Sequence, residues 1–249
     1  MDEFTELARA AARAGAAMRA GSLNFQSRFT ENAALCLTGE GHRAFNSILI
    51  GAEPEPARFL EECLTLVRDR QCPFTVFFAP HVADSLVADA LRLGLSPIGQ
   101  MPLMALRRTS AFTETGGCTI ERATDRVPIE QIVAMLAREM DLPVDPFLRV
   151  FDPDTLAVRG MEMFVAAQDG TVVSTVTVIQ TDGVAGIWAM ATASEHRRRG
   201  HGRALLTTVI NRCLERGIAR FYLHASEAGR PLYESLGFET VGHYSLWMG

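Results

Sequence analysis

The chain has 249 residues, 48% of them hydrophobic, and a formal net charge of −5. It is too long for one average domain and too apolar for a disordered chain. Its pI of about 5.7 excludes a broad nucleic-acid footprint, no apolar run reaches the roughly 18 residues that span a membrane, and the absence of lysine removes Schiff-base chemistry.

In chain order, residues 1–20 are rich in alanine and arginine but carry Asp2, Glu3 and Glu6 and lack an apolar stretch. They read as a surface helix and not as a targeting peptide. Strands are expected at Ala33–Leu37 and 44–50, a helix at about 57–68 and a strand at 74–78. A second helical stretch and an apolar segment at 101–106 follow. Between the second strand and the first helix lies Gly51-Ala52-Glu53-Pro54-Glu55-Pro56. Its carboxylates repel an anion and its prolines delete backbone donors. Residues 107–117, polar and ending in glycine, read as a linker.

From residue 118 the order is a strand at 119–122, helices at about 127–140 and 146–150, and strands at 162–167 and 172–180. Asp169-Gly170 is a two-residue hairpin signal, and 172–179 alternates β-branched and small residues as a central strand does. A strand at 184–192 then leads into Arg197-Arg198-Arg199-Gly200-His201-Gly202. After it Leu205, Leu206, Val209, Ile210, Cys213 and Leu214 recur at helical spacing up to Gly217. Strand, glycine-bearing loop and helix point consecutive N–H groups at one anion. Gly200 and Gly202 let backbone approach it, and the arginines attract phosphate, so the run reads as a pyrophosphate cradle. Without lysine it is not a P-loop, and without a third glycine it is not a dinucleotide fingerprint.

A strand at 221–225 and a short helix at about 228–236 come next. The helix contains Leu232-Tyr233-Glu234-Ser235-Leu236, and Gly237-Phe238 follows it. Gly237 stands where a helix end favours positive φ. The run Leu236-Gly237-Phe238-Glu239-Thr240-Val241-Gly242 parallels Leu93-Gly94-Leu95-Ser96-Pro97-Ile98-Gly99, each after a strand and a helical stretch and before an apolar terminal segment. That echo points to a duplicated unit.

The loop resembles the acyl-CoA-binding motif of the GCN5-related N-acetyltransferases (GNATs), Gln/Arg-x-x-Gly-x-Gly/Ala, on Arg197, Gly200 and Gly202. The tyrosine-bearing helix with its Leu-Gly-Phe is a second hallmark, and both fall in the family's order within 118–249. The resemblance implies an α/β (α+β) acyl-CoA N-acyltransferase fold, a mixed central sheet flanked by helices, with two similar domains in tandem. Residues 1–110 would be a degenerate copy without a coenzyme loop, and 118–249 the catalytic domain. An unrelated α/β cap is the other reading of the front part.

The implied reaction is direct transfer of an acetyl group from acetyl-CoA to the primary amine of a small molecule or amino acid, with no metal. The resemblance gives coenzyme contacts to Met190 and Thr192, to Arg197, Arg198, Arg199, Gly200, His201, Gly202 and Arg203, and to Ser226. Ser194 stands where the family commonly has proline, and Ser226 where it usually has asparagine, which leaves the pantetheine contacts open. Tyr233 is the candidate general acid toward the CoA sulfur. His224 is the candidate base, an ordinary strand histidine being the plainer reading. Residues 140–151, with Asp141 and Asp145, are either part of the acceptor wall or a solvated loop.

Other readings are a non-catalytic acyl-CoA sensor and a protein N-acetyltransferase. Neither nucleic acid nor membrane is an expected partner, and a homodimer is left open. Five scattered cysteines, with no Cys-x-x-Cys pair, fit reduced thiols in a cytoplasm.

Overall fold

A computed structural model describes residues 2–113, 118–151 and 160–249. The chain divides into two compact units. Unit 1 is Met1–Met104 with His224–Arg230 and Glu239–Gly249, and unit 2 is Ala105–Leu223 with Pro231–Phe238.

Unit 1 begins with α1 (Glu3–Arg19), whose first turn is capped by the Asp2 carboxylate accepting from Thr5 N at 2.9 Å. Its buried stripe of Phe4, Leu7, Ala8, Ala11 and Ala14 is mostly small, so the helix lies close against β2 (Ala33–Leu37), every residue of which is buried. The helix is therefore half-buried and not a surface element. The strand order is β1 (Gln26–Phe29), β2, β3 (Ser47–Ile50), β4 (Thr75–Phe78), β11 (Glu239–Met248) and β5 (Ser96–Arg107). β3 and β4 are parallel, joined by the crossover helix α2 (Pro56–Asp69), and α3 (Pro80–Arg92) follows β4. Both helices open on proline at the first position, where a missing N–H costs nothing.

β3 starts at Ser47 and not at 44 because Arg43–Phe45 is a 3₁₀ turn capped by the His42 imidazole. Asn46 then turns inward, fully buried. Its amide donates to the carbonyls of Glu40, His42 and Pro73, while its oxygen accepts from Thr38 N. The last strand of the chain completes this first unit. β11 runs antiparallel to β4, with Leu246 opposite Phe77, and buries Tyr244 and Trp247 against Phe4 and Phe78.

Unit 2 has the strand order β10 (Arg220–His224), β9 (Val184–Thr192), β8 (Thr171–Thr181), β7 (Met161–Gln168), β6 (Thr119–Ala123). β6 to β9 form an antiparallel meander. Its tight turns are Asp169-Gly170 and Asp182-Gly183, with positive φ at both residues of each, the backbone of a primed hairpin turn. β9 and β10 are parallel, with α6 (His201–Glu215) crossing between them. α6 buries Leu205, Leu206, Val209, Ile210 and Cys213 over β7, β8 and β9. α4 (Arg126–Met140) lies against β8 and β9 and is followed by α5 (Val144–Val150), and α7 (Arg230–Ser235) comes before β11.

The stretch expected as a linker is fastened to unit 2. Arg108 N donates to Ala219 O, its guanidinium sits 3.7 Å from the Phe112 ring centroid, and Phe112 exchanges two hydrogen bonds with the Asn211 side chain. Its remaining residues, 114–117, lie outside the described residues. The five cysteines are free thiols, all but Cys118 buried. No described helix is long and apolar enough to cross a membrane.

Candidate active site

β9 carries the main irregularity of unit 2. Ala189 has φ +47°, and the pairing with β8 slips between Thr175 and Thr177, which marks a bulge. The parallel pairing with β10 ends at Ile187 opposite Leu223, so β9 continues to Thr192 beyond its pairing with β10. Thr192 is oriented by Ser174, whose hydroxyl lies 2.9 Å from Thr192 Oγ1 and donates to Ala191 O.

After a 3₁₀ turn at Ser194–His196 the loop passes through Arg198 (φ +59°) and Gly200 (φ +87°) into α6. A side chain at 200 would meet nothing within 4 Å, so glycine is required there for its backbone angle alone. Gly202 is needed for space: a Cβ there would stand 3.0 Å from Thr192 Oγ1 and 3.3 Å from Met190 Cε. The start of α6 thus lies directly on the unpaired part of β9. Helix geometry leaves the N–H groups of its first turn without internal partners, and the positive end of the dipole adds to them.

The arginines divide into two pairs. Arg197 Nη2 donates to Glu139 Oε2 at 2.5 Å and its Nε to Thr192 O at 3.1 Å, while Glu139 also accepts from Ser194 N. Arg203 Nη1 donates to Ser235 Oγ at 2.8 Å, tying α7 to the head of α6. Arg198 and Arg199 are exposed and make none of these contacts. Glu139, Ser174 and Ser235 carry no local sequence signal, since each acts across a long gap in the chain.

Tyr233 on α7 is 7% exposed, its ring 5.9 Å from that of Phe238. Its carbonyl accepts from Leu236 N and Phe238 N, which closes the helix at Gly237. Burial pushes its phenol up to about 12. Leu232, one residue earlier, would touch a Cβ at 202, so α7 stands beside the loop. His201 is buried at the start of α6, facing His196.

His224 and Ser226 belong to unit 1. His224 packs against the Tyr244 ring at 5.4 Å, and burial, with the Arg19 charge adding to it, drops its pKa to about 4. Ser226 shapes the turn before α7, its hydroxyl and carbonyl both accepting from Gly229 N and its carbonyl also from Arg230 N. Asp141 is the left-handed C-cap of α4, and Phe147 and Phe151 stack 5.8 Å apart, so 140–151 is an ordered helical segment. Among the described residues no three His, Cys, Asp or Glu side chains gather as a metal site.

Residues 130–238 match the model of the acetyltransferase (GNAT) family. The fold is that of the acyl-CoA N-acyltransferases, and the matched residues make up most of the chain from residue 118 on. Among solved structures, a GCN5-related N-acetyltransferase from Kribbella flavida superposes with a TM-score of 0.75 at 16% identity, over 100% of this chain and 96% of that one. A tandem GNAT protein from the clavulanic acid biosynthesis pathway gives 0.60 at 15% identity, over 94% and 87%. A GCN5-related N-acetyltransferase from Sphaerobacter thermophilus gives 0.59 at 17% identity, over 87% and 76%. No curated protein matches the chain in sequence.

Proposed function

We propose that the protein transfers an acetyl group from acetyl-CoA directly to the primary amine of a small molecule or amino acid. One observation carries this reading: the glycine-opened start of α6 lies against Met190 and Thr192, on the part of β9 that has lost its β10 partner. A pyrophosphate at the α6 N–H groups would put its pantetheine arm along that free edge, which takes it as an added strand. Arg198 and Arg199 then supply phosphate attraction, while Arg197 and Arg203 hold the loop and α7 in place.

In the reaction the amine lone pair forms the C–N bond at the thioester carbonyl carbon, and the C–S bond breaks with its electron pair going to sulfur. The Tyr233 hydroxyl, protonated at any physiological pH, gives its proton to that sulfur and recovers one from solvent. Desolvation that raises the phenol also raises the proton affinity of the departing thiolate, so donor and acceptor remain matched. The proton lost by the amine goes to water.

Calorimetry with acetyl-CoA tests the binding half. The parent is expected to bind and an Arg199→Glu/Gly202→Pro variant to lose binding. Thiol release across a panel of small amines tests the chemical half: Tyr233→Phe should lower kcat by about 100-fold with the acetyl-CoA affinity unchanged. Binding without thiol release on any amine would favour the sensor, and no binding at all would end the coenzyme reading.

A further inference from the structure

Trp188 is the first β9 residue beyond the last β10 pair, Ile187 with Leu223. Its place is fixed from the side of that pair. Gly186 stands opposite Tyr222, and a Cβ at 186 would overlap both the indole Nε1 and the Tyr222 hydroxyl, so the two groups converge over a glycine. The Tyr222 ring is fully buried and meets the indole edge-on, 6.3 Å between centroids at 89°. The indole nitrogen is buried there, while Trp188 as a whole is half-buried.

The pairing with β8 assigns the indole to one face of the sheet. Thr192 lies opposite Ser174 with its Oγ1 on the α6 side, where a Cβ at Gly202 would meet it. Side chains alternate along a strand, so Ser174 faces α6 while Thr175 and Thr177 face away. Trp188 is opposite Thr177, on the face away from α6.

Between its phosphate oxygen and its sulfur, pantetheine has about a dozen chain atoms, as many as four residues of backbone. The same count separates Thr192, at the head of α6, from Trp188, across about 13 Å of strand. On the coenzyme placement proposed above, on which this inference rests, the thioester arrives beside Trp188. α6 covers one face of β9, so the amine approaches from the other, the face of the indole.

We infer that Trp188 is the acceptor platform: its indole seats the body of the amine, and the preferred acceptors are primary amines carried on an apolar group, aromatic rings above all. An aromatic ring gains there from offset or edge contact as well as from burial, and the indole face also attracts an ammonium.

The test is calorimetric titration of the full chain, saturated with CoA so that nothing turns over. The probes are benzylamine and methylamine, which carries an ammonium but no ring. The parent is expected to bind benzylamine at least tenfold more tightly. Trp188→Leu should erase that preference and Trp188→Phe should keep it, with the affinity for CoA unchanged in both. Melting followed by circular dichroism checks that each variant folds. If Trp188→Leu does not, a change in the parent's tryptophan emission on adding benzylamine, absent from Trp188→Phe, decides. Equal affinity for the two amines in a parent that binds CoA would overturn the platform and leave the coenzyme reading standing. A folded Trp188→Leu that keeps the preference would do the same. A parent that binds no CoA would overturn both.

Discussion

Unit 1 and unit 2 run the same order of strand, loop, helix, strand and helix, yet they end their central parallel pair differently. In unit 1, β3 and β4 stay paired to Ile50 opposite Phe78, and Ala79 N extends the ladder by donating to Ile50 O. In unit 2, β9 and β10 part after Ile187 and Leu223. The loops differ in the same sense. The Glu53 carboxylate accepts from Asn32 N and Thr30 Oγ1, both at 2.6 Å, so an internal anion already occupies that corner. The loop 197–200 holds no such internal anion and carries two exposed arginines, Arg198 and Arg199. The parting of the strands in unit 2 thus goes with one bulge in β9 and with a glycine that lets a helix start sit on that strand. The order of elements alone does not provide it.

The largest effect should come from deleting residues 239–249. That removes Tyr244 and Trp247 from unit 1, and losing two such buried aromatics costs about 6–10 kcal/mol, comparable to the whole stability of a typical domain. Hydrogen exchange should show β2 to β4 unprotected while β7 to β9 keep their protection. Loss of protection in both at once would mean the two regions fold as a single cooperative body.

A matched pair of glycine substitutions sharpens the contrast. Gly51→Ala drives its Cβ into the backbone carbonyl of Asn32, which cannot move aside, and should destabilise unit 1 by about 1–3 kcal/mol in thermal melts. It should leave acetyl-CoA affinity unchanged. Gly202→Ala meets only the ends of the Thr192 and Met190 side chains, so the fold should survive. Acetyl-CoA binding should weaken about tenfold, or about 1.4 kcal/mol, as the space around Gly202 narrows. Calorimetry on the same samples should find one coenzyme per chain; two would mean that the zipped pair in unit 1 also opens.

Much of this was legible in the sequence. The glycines at 200 and 202, the helix stripe from Leu205 to Cys213 and the Tyr233-to-Phe238 run each act through local backbone or helical period, which one sequence displays. β2 was readable because all its residues are apolar, while β1, a short polar edge of Gln-Ser-Arg-Phe, offered no period to read. The bulge at Ala189 was invisible, since alanine gives no hint of positive φ. Arg197 looked like a phosphate ligand among three alike, and only the fold shows it bound to Glu139 from another helix. Pairing of the final strand with β4 is likewise a long-range choice, made by packing of Tyr244 and Trp247 and by no local propensity.

The smallest predicted effect concerns pH, and it too separates the units. His224 is buried in unit 1 with a pKa of about 4, against about 6.5 in an unfolded chain. Between those values the unfolded chain binds more protons than the folded one. The neutral ring therefore contributes its full stability above about pH 6.5, and that contribution is lost as pH falls toward 4. Part of the residue reaches solvent, so the shift is discounted to about 1–2 kcal/mol. Urea unfolding of the parent at pH 7 and at pH 4.5 should show a stability loss larger by that amount than in His224→Gln, which cannot gain the proton. The extra loss should appear in exchange from β2 to β4 and not from β7 to β9. Equal losses in parent and variant would mean that the imidazole titrates normally.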